Sequence, residues 1–336
     1  MSKLNTHANL VSIVVMAFLF TGVVWSEPIL YDNNYQIESY ASYSSVGRDK
    51  ITGSCFDDEG NLYLTYSYDA SIARVSSTNV TTHWADNLAG PAMIVWTGGT
   101  AYGDSLYVME NFDSKVRVLD DQGNHSVFAS VNRFPLALGI DKYGNYGNQL
   151  FGGTSDNDGI YSISTSGSVS QFGTFPGDVS GGLRDIEFSP TAKYGGEMFV
   201  HLWSSDAHEY LNGIYSIDTS GNASRFASSV NVVWDLAFDT AGTQFGNDLF
   251  AIGSIEGLAG NHILRIDESG NATSLALLDG ISALSLTFGL DGAMYVSTTT
   301  GDNYTDIYRI SEVPEPASLL LLGLGGMLLR KKRKLS

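Results

Sequence analysis

The sequence has one cysteine, seven prolines and few basic side chains, and no part of its body shows sustained helical periodicity. The lone Cys55 excludes both an intrachain disulfide framework and a structural zinc site built from several thiolates. Only 18 residues are Lys or Arg against 36 Asp or Glu, and a chain of net charge −18 cannot neutralise a row of phosphates, which excludes nucleic acid as a partner. Motif-borne catalysis is missing too, for there is no Gly-x-Ser-x-Gly elbow, Walker loop, His-Glu-x-x-His or Cys-x-x-Cys. What is present is a chain of 336 residues, 43% hydrophobic and 12% aromatic. That is too apolar for disorder, and long enough for one large all-β domain or two ordinary ones.

The two ends read as addresses. Lys3 and a polar stretch lead into the apolar run Leu10 to Val24, followed by Val24-Trp25-Ser26 before Glu27, which is the layout of a signal peptide over residues 1–26. An uncleaved anchor is the alternative. At the other end Val313-Pro314-Glu315-Pro316-Ala317 precedes an apolar run from Ser318 to Leu329, and Arg330-Lys331-Lys332-Arg333-Lys334 follows. A rigid diproline turn, a short transmembrane-like helix and a basic cluster suited to a cytoplasmic face predict a membrane handle over 313–336, the chain's one contact with a membrane.

This order resembles the PEP-CTERM sorting signal of Gram-negative bacteria, with Pro314, Glu315 and Pro316 as the sorting triplet. The resemblance implies an exosortase as processing partner. It implies an inner-membrane-tethered precursor whose tail is removed, and a mature protein at the cell surface or in the extracellular matrix. Without its ends, the segment 27–312 holds 12 basic and 35 acidic residues, a net −23.

The body repeats. First strands end at Phe56, Ile140, Phe188, Phe238 and Phe288, each before a Gly- or Asp-bearing turn. Second strands follow at Leu62-Tyr63-Leu64, Leu106-Tyr107-Val108, Leu150-Phe151-Gly152, Met198-Phe199-Val200, Leu249-Phe250-Ala251 and Met294-Tyr295-Val296, and third strands at Ile72, Val116, Ile160, Ile214, Ile263 and Ile307. Six units of four short alternating strands predict an all-β, six-bladed propeller, because one blade cannot bury both faces of its sheet until neighbours stack on it. The sixth unit lacks a fourth strand, and Tyr35-Gln36-Ile37-Glu38-Ser39-Tyr40 supplies it, so an N-terminal strand closes the ring. A β-helix or a two-sheet sandwich is the alternative, and the missing strand speaks against both. The turn, Leu-Tyr-Val, polar loop and Ile-x-Arg-Ile pattern resembles NHL and SMP30-like propellers over nearly all of 44–311. A lengthened first turn with aromatic-Gly at Tyr146, Tyr194 and Phe245 reads as a hairpin packing on the underside. Five Asn-x-Ser/Thr triplets, at Asn79, Asn124, Asn222, Asn271 and Asn303, read as turn residues.

Chemistry has few places to sit. Arg184-Asp185 and Trp234-Asp235 share one position in blades four and five, so Asp185 and Asp235 are candidate ligands for a divalent cation at the channel, or carboxylates that accept hydrogen bonds between blades. SMP30-like lactonases hold a central divalent metal, which these two acids would serve, but no Glu and Asn pair completes such a set. Asp156 and Asp158 lie in a calcium-like turn that lacks the closing glutamate. His201 and His208, with Asp206 and Glu209, lie in the longest loop between second and third strands, either as a zinc or sugar-binding cluster or as solvated residues. The reading is a non-enzymatic binding protein whose partner is an exopolysaccharide or another surface protein. A metal-dependent SMP30-like hydrolase or lactonase is the rival, with a divalent cation as the one candidate cofactor.

Overall fold

A computed structural model describes residues 28–44, 51–131, 134–154, 159–175, 181–204, 212–227, 229–278, 282–300 and 304–314. The predicted signal peptide, the apolar tail with Glu315 and Pro316, Asp156, Asp158, His208 and Asn303 lie outside them. Six antiparallel sheets form; in four of them the strands follow one another in sequence, and the other two each take in a strand from the N-terminus. Their innermost strands are Ile51–Phe56, Pro91–Trp96, Pro135–Ile140, Gly181–Phe188, Val230–Phe238 and Ser282–Phe288. These are the six blades of a propeller.

The ring closes at the sixth blade, where Tyr35–Ser44 pairs antiparallel with Tyr304–Glu312 from Tyr35↔Glu312 to Ser44↔Tyr304. The N-terminal segment does one thing more. Ile29–Leu30 adds a fifth strand to the outer edge of blade five, pairing with Leu277 and Ala276. Between every two neighbouring blades lies one apolar cluster, six in all, so the core is a set of wedges. The alternation of the strands produces it, because side chains two apart enter the same wedge.

Repeated turns clamp neighbouring blades. The turn between third and outer strands in blades two, four and five carries an Asp whose carboxylate accepts from an Asn four residues on, as in Asp218 to Asn222 N at 2.9 Å and Nδ2 at 2.8 Å. Asn124 and Asn271 do the same with Asp120 and Asp267, and Asn79 takes a positive φ of 63° in the blade-one turn, so these triplet residues are turn residues. Gly221 sits before Asn222 at φ 84°, where a Cβ would lie 2.3 Å from Phe172 O of the preceding blade. Only glycine allows that approach.

The aromatic-Gly turns plug forward. Tyr146 leaves blade three, is buried, donates its hydroxyl to Ile217 O of blade four and accepts from Met198 N at 2.8 Å. Tyr194 does the same into blade five, donating to Ile266 O at 2.5 Å and accepting from Leu249 N at 3.2 Å. Tyr102 repeats the device from blade two, accepting from Leu150 N at 3.1 Å. Phe245 has no hydroxyl, and the closing strand offers Tyr35, stacked on it at 4.7 Å. Each of the three tyrosine plugs closes a buried donor and a buried acceptor that would otherwise be left open.

Candidate functional site

Every innermost strand is interrupted by a register shift at corresponding places, between Ile51 and Gly53, Pro91 and Ile94, Pro135 and Ala137, Leu183 and Asp185, Val233 and Asp235, and Ala283 and Ser285. A bulge inserts one residue and re-aims its side chain. Thr52, Ala92, Leu136, Arg184, Trp234 and Leu284 thereby point into one pocket at the mouth of the central channel, about 240 Å³ in volume. The next residue along turns back into the wedge between blades.

That geometry brings Asp185 and Asp235 together while taking them away from the channel mouth. Asp185 accepts from Ile186 N at 2.8 Å and from Leu236 N of blade five at 2.7 Å. Asp235 accepts from Leu286 N at 2.6 Å and from the Ser285 hydroxyl at 2.9 Å, both in blade six. Ser285 in turn lies 2.6 Å from the Ser54 hydroxyl of blade one. A polar thread therefore runs across four blades. The two buried acids also act on each other, and burial with their mutual repulsion favours one proton shared between them. Burial raises both groups: Asp185 is pushed up to about 6, and Asp235 stands well above the usual carboxylate range through burial and then the charge of Asp185.

The sign of the pH dependence follows. Carboxyls whose folded affinity for protons exceeds that of the unfolded chain give stability that is fully present below about pH 4 and fades as pH rises through 6 and beyond. Asp235→Asn supplies the same donor to Asp185 without a titrating proton. Urea unfolding midpoints between pH 4 and 8 should fall less steeply for this variant than for the wild type; equal slopes would remove the shared proton from the account.

Above this layer, Arg184 stands in the pocket with its guanidinium carbon 4.9 Å from the Trp203 ring centre and 5.3 Å from that of Trp234. No carboxylate pairs with it among the described residues, and its buried Nε has no hydrogen-bond partner. Desolvation alone shifts it, downward. His201 shares a strand with Trp203 and pairs in register with Asp185. It therefore belongs to the second strand and not to the solvated loop expected of it: it is fully buried, neither ring nitrogen has a partner among the described residues, and burial followed by the charge of Arg184 pushes it down to about 3, so it stays neutral.

Two further hollows were not read from the sequence. The opposite channel mouth, about 200 Å³, includes Cys55, Lys142 and Glu187, with Glu187 raised well above the usual range by burial and the charge of Asp185. A groove between blades one and two, about 510 Å³, is lined by Asp57, Asp58, Glu59, Asp104, Asp120 and Asp121 around Trp84 and Trp96. Asp57 and Asp120 spend their oxygens on their own turns. Among the described residues no three His, Cys, Asp or Glu side chains gather as metal ligands do, and no helix is long and apolar enough to cross a membrane.

A family model for the PEP-CTERM protein-sorting motif matches residues 312–334. No curated protein matches the chain. Among solved structures, a gluconolactonase from Xanthomonas campestris aligns with TM-score 0.62 at 12% identity, over 86% of this chain and 96% of that one. Virginiamycin B lyase from Staphylococcus aureus aligns with TM-score 0.55 at 12% identity, over 83% and 100%. An auxiliary nutrient binding protein from Bacteroides thetaiotaomicron aligns with TM-score 0.60 at 10% identity, over 84% and 75%. Likeness at this level of identity shows the propeller fold, which lyases, lactonases and binding proteins share. The carboxyl-terminal motif marks the chain as an exported protein processed by an exosortase, made first as a membrane-anchored precursor.

Proposed function

We propose that the chain is a non-enzymatic binding protein of a Gram-negative cell surface or extracellular matrix, whose ligand or partner is an exopolysaccharide or another surface protein. Residues 1–26 act as the signal peptide, 27–312 as the exported propeller, and 313–336 as the segment that holds the precursor in the inner membrane until Pro314-Glu315-Pro316 is processed. The sorting motif carries this reading, since it delivers the propeller to a compartment where its partners are envelope and matrix components. The net −23 of the body adds mutual repulsion that keeps such a protein dispersed.

Support for binding over metal-dependent hydrolysis comes from Asp185 and Asp235. Their oxygens are engaged by backbone amides and the Ser285 hydroxyl, and no third His, Cys, Asp or Glu gathers with them among the described residues, so this pair does not fit a divalent ion. In a host that carries the exosortase, the mature protein should have a mass lacking the basic terminus and leave the membrane fraction, whereas a Pro316→Ala variant accumulates at full length in it. The purified mature protein should then retain polysaccharide extracted from the host matrix. A protein that keeps its tail in the wild type, or that ignores the matrix polymer while opening lactones in the presence of added divalent metal, refutes the proposal.

A further inference from the structure

The channel mouth combines a cation without a carboxylate partner among the described residues with polar side chains on the opposite wall. Blade four, which carries Arg184, faces blade one across the ring, and blade five faces blade two. Ser67 of blade one and Asn111 of blade two line the same pocket. Ile51, Ala92, Leu136 and Leu284 make the walls between them apolar. A partly buried arginine with no carboxylate partner among the described residues carries a desolvation cost that those residues do not offset. A planar fork packed against indole rings is preorganised to grip a carboxylate with two parallel bonds.

We propose that this pocket binds a carboxylate-bearing sugar, with the carboxylate on Arg184, the sugar ring against Trp234, and its hydroxyl groups at Ser67 and Asn111. The assignment rests on the binding reading above and names its ligand class. The volume suits one such ring: 240 Å³ is the share of about eight liquid waters. Apolar walls strengthen the charge contact by excluding water, and the single cation selects a single carboxylate over neutral sugars. Binding would also place an anion beside the Arg184 charge that pushes the affinity of His201 for protons down.

The test is titration of the purified protein with D-glucuronate and D-glucose, followed by calorimetry and by the fluorescence of Trp203 and Trp234. Glucuronate is expected to bind at least tenfold more tightly than glucose, with the difference shrinking as salt is raised. Arg184→Met should abolish glucuronate binding while leaving the thermal midpoint of the free protein unchanged or higher, because an apolar chain replaces an unpaired cation. Arg184→Lys, which keeps charge but loses the fork, should retain a weakened preference, and Asn111→Ala should weaken both sugars alike. Equal affinity for the two sugars, or an Arg184→Met protein that binds glucuronate as well as the wild type, overturns the site. Should the host polymer still be retained in either case, the site alone fails and the broader binding reading stands; if neither polymer nor glucuronate binds, both fall.

Discussion

Removing residues 28–44 abolishes cooperative folding of the ring. The deletion strips the strand Tyr35–Ser44 from Tyr304–Glu312 and exposes the row of backbone groups it had satisfied. It also opens two wedges, since Tyr35, Leu30 and Ile37 pack into the cluster between blades five and six, and Tyr40, Ala41 and Tyr43 into the cluster between blades six and one. At about 1.5–3 kcal/mol for each large side chain that is fully buried, and less for those partly buried, the packing loss alone is roughly 5–10 kcal/mol. That equals the whole stability of an ordinary domain. Circular dichroism should show a broad, early melt and gel filtration an aggregated species, with recovery when a synthetic peptide of residues 28–44 is added. A deleted protein that melts sharply within a few degrees of the intact one removes closure from the forces holding the ring.

Asp141→Ala should cost about 3–5 kcal/mol, the largest expected loss for a single side chain. The fully buried Asp141 carboxylate gathers four backbone amides, accepting from Tyr143 N at 3.1 Å, Gly144 N at 2.9 Å, Tyr146 N at 2.7 Å and Asn148 N at 3.0 Å. Alanine leaves these donors open at roughly 1–3 kcal/mol each where water cannot reach, and the outer part of the turn recovers some through hydration. The turn also aims Tyr146 into blade four, so its loosening frees Met198 N and Ile217 O as well. A fall of roughly 6–10 °C in the melting midpoint corresponds to this loss for a body of this size. Asp239 repeats the arrangement in blade five, bonding Ala241, Gly242, Phe245 and Asn247 amides, and Asp239→Ala should match. A shift below 2 °C in both variants contradicts the role assigned to the carboxylates.

The six blades, their strand order and the closing strand were legible because they depend on alternation and spacing, which the chain displays directly. Asn124, Asn222 and Asn271 were legible as turn residues for the same reason. The pocket was not. Arg184-Asp185 and Trp234-Asp235 stood out as matching pairs, yet the acids drew attention because carboxylates carry familiar chemistry. Which member of each pair faces the channel depends on a one-residue bulge, and such a shift exchanges the two faces of a strand without leaving a mark in composition. Tyr102-Gly103 shows the same aromatic-Gly signal as Tyr146-Gly147, but the first strand of blade two has no counterpart to the Phe or Ile that ends the other five, which concealed it. Ile29–Leu30 is two residues long and pairs only at the edge of blade five, too short for any periodicity to betray.

Closure by the first strand also sets a timetable. Ribosomes make Tyr35–Ser44 at the start of the body and its partner Tyr304–Glu312 at the end, and Val313 N donates to Asn34 O at 2.8 Å immediately before the tail. Until the last blade emerges, the leading strand has no mate and the growing array keeps a raw edge at each side. A premature, fully locked ring is thus denied to the nascent chain. The same step that locks the ring ties Val313, where the sorting segment begins, to Asn34 at the seam.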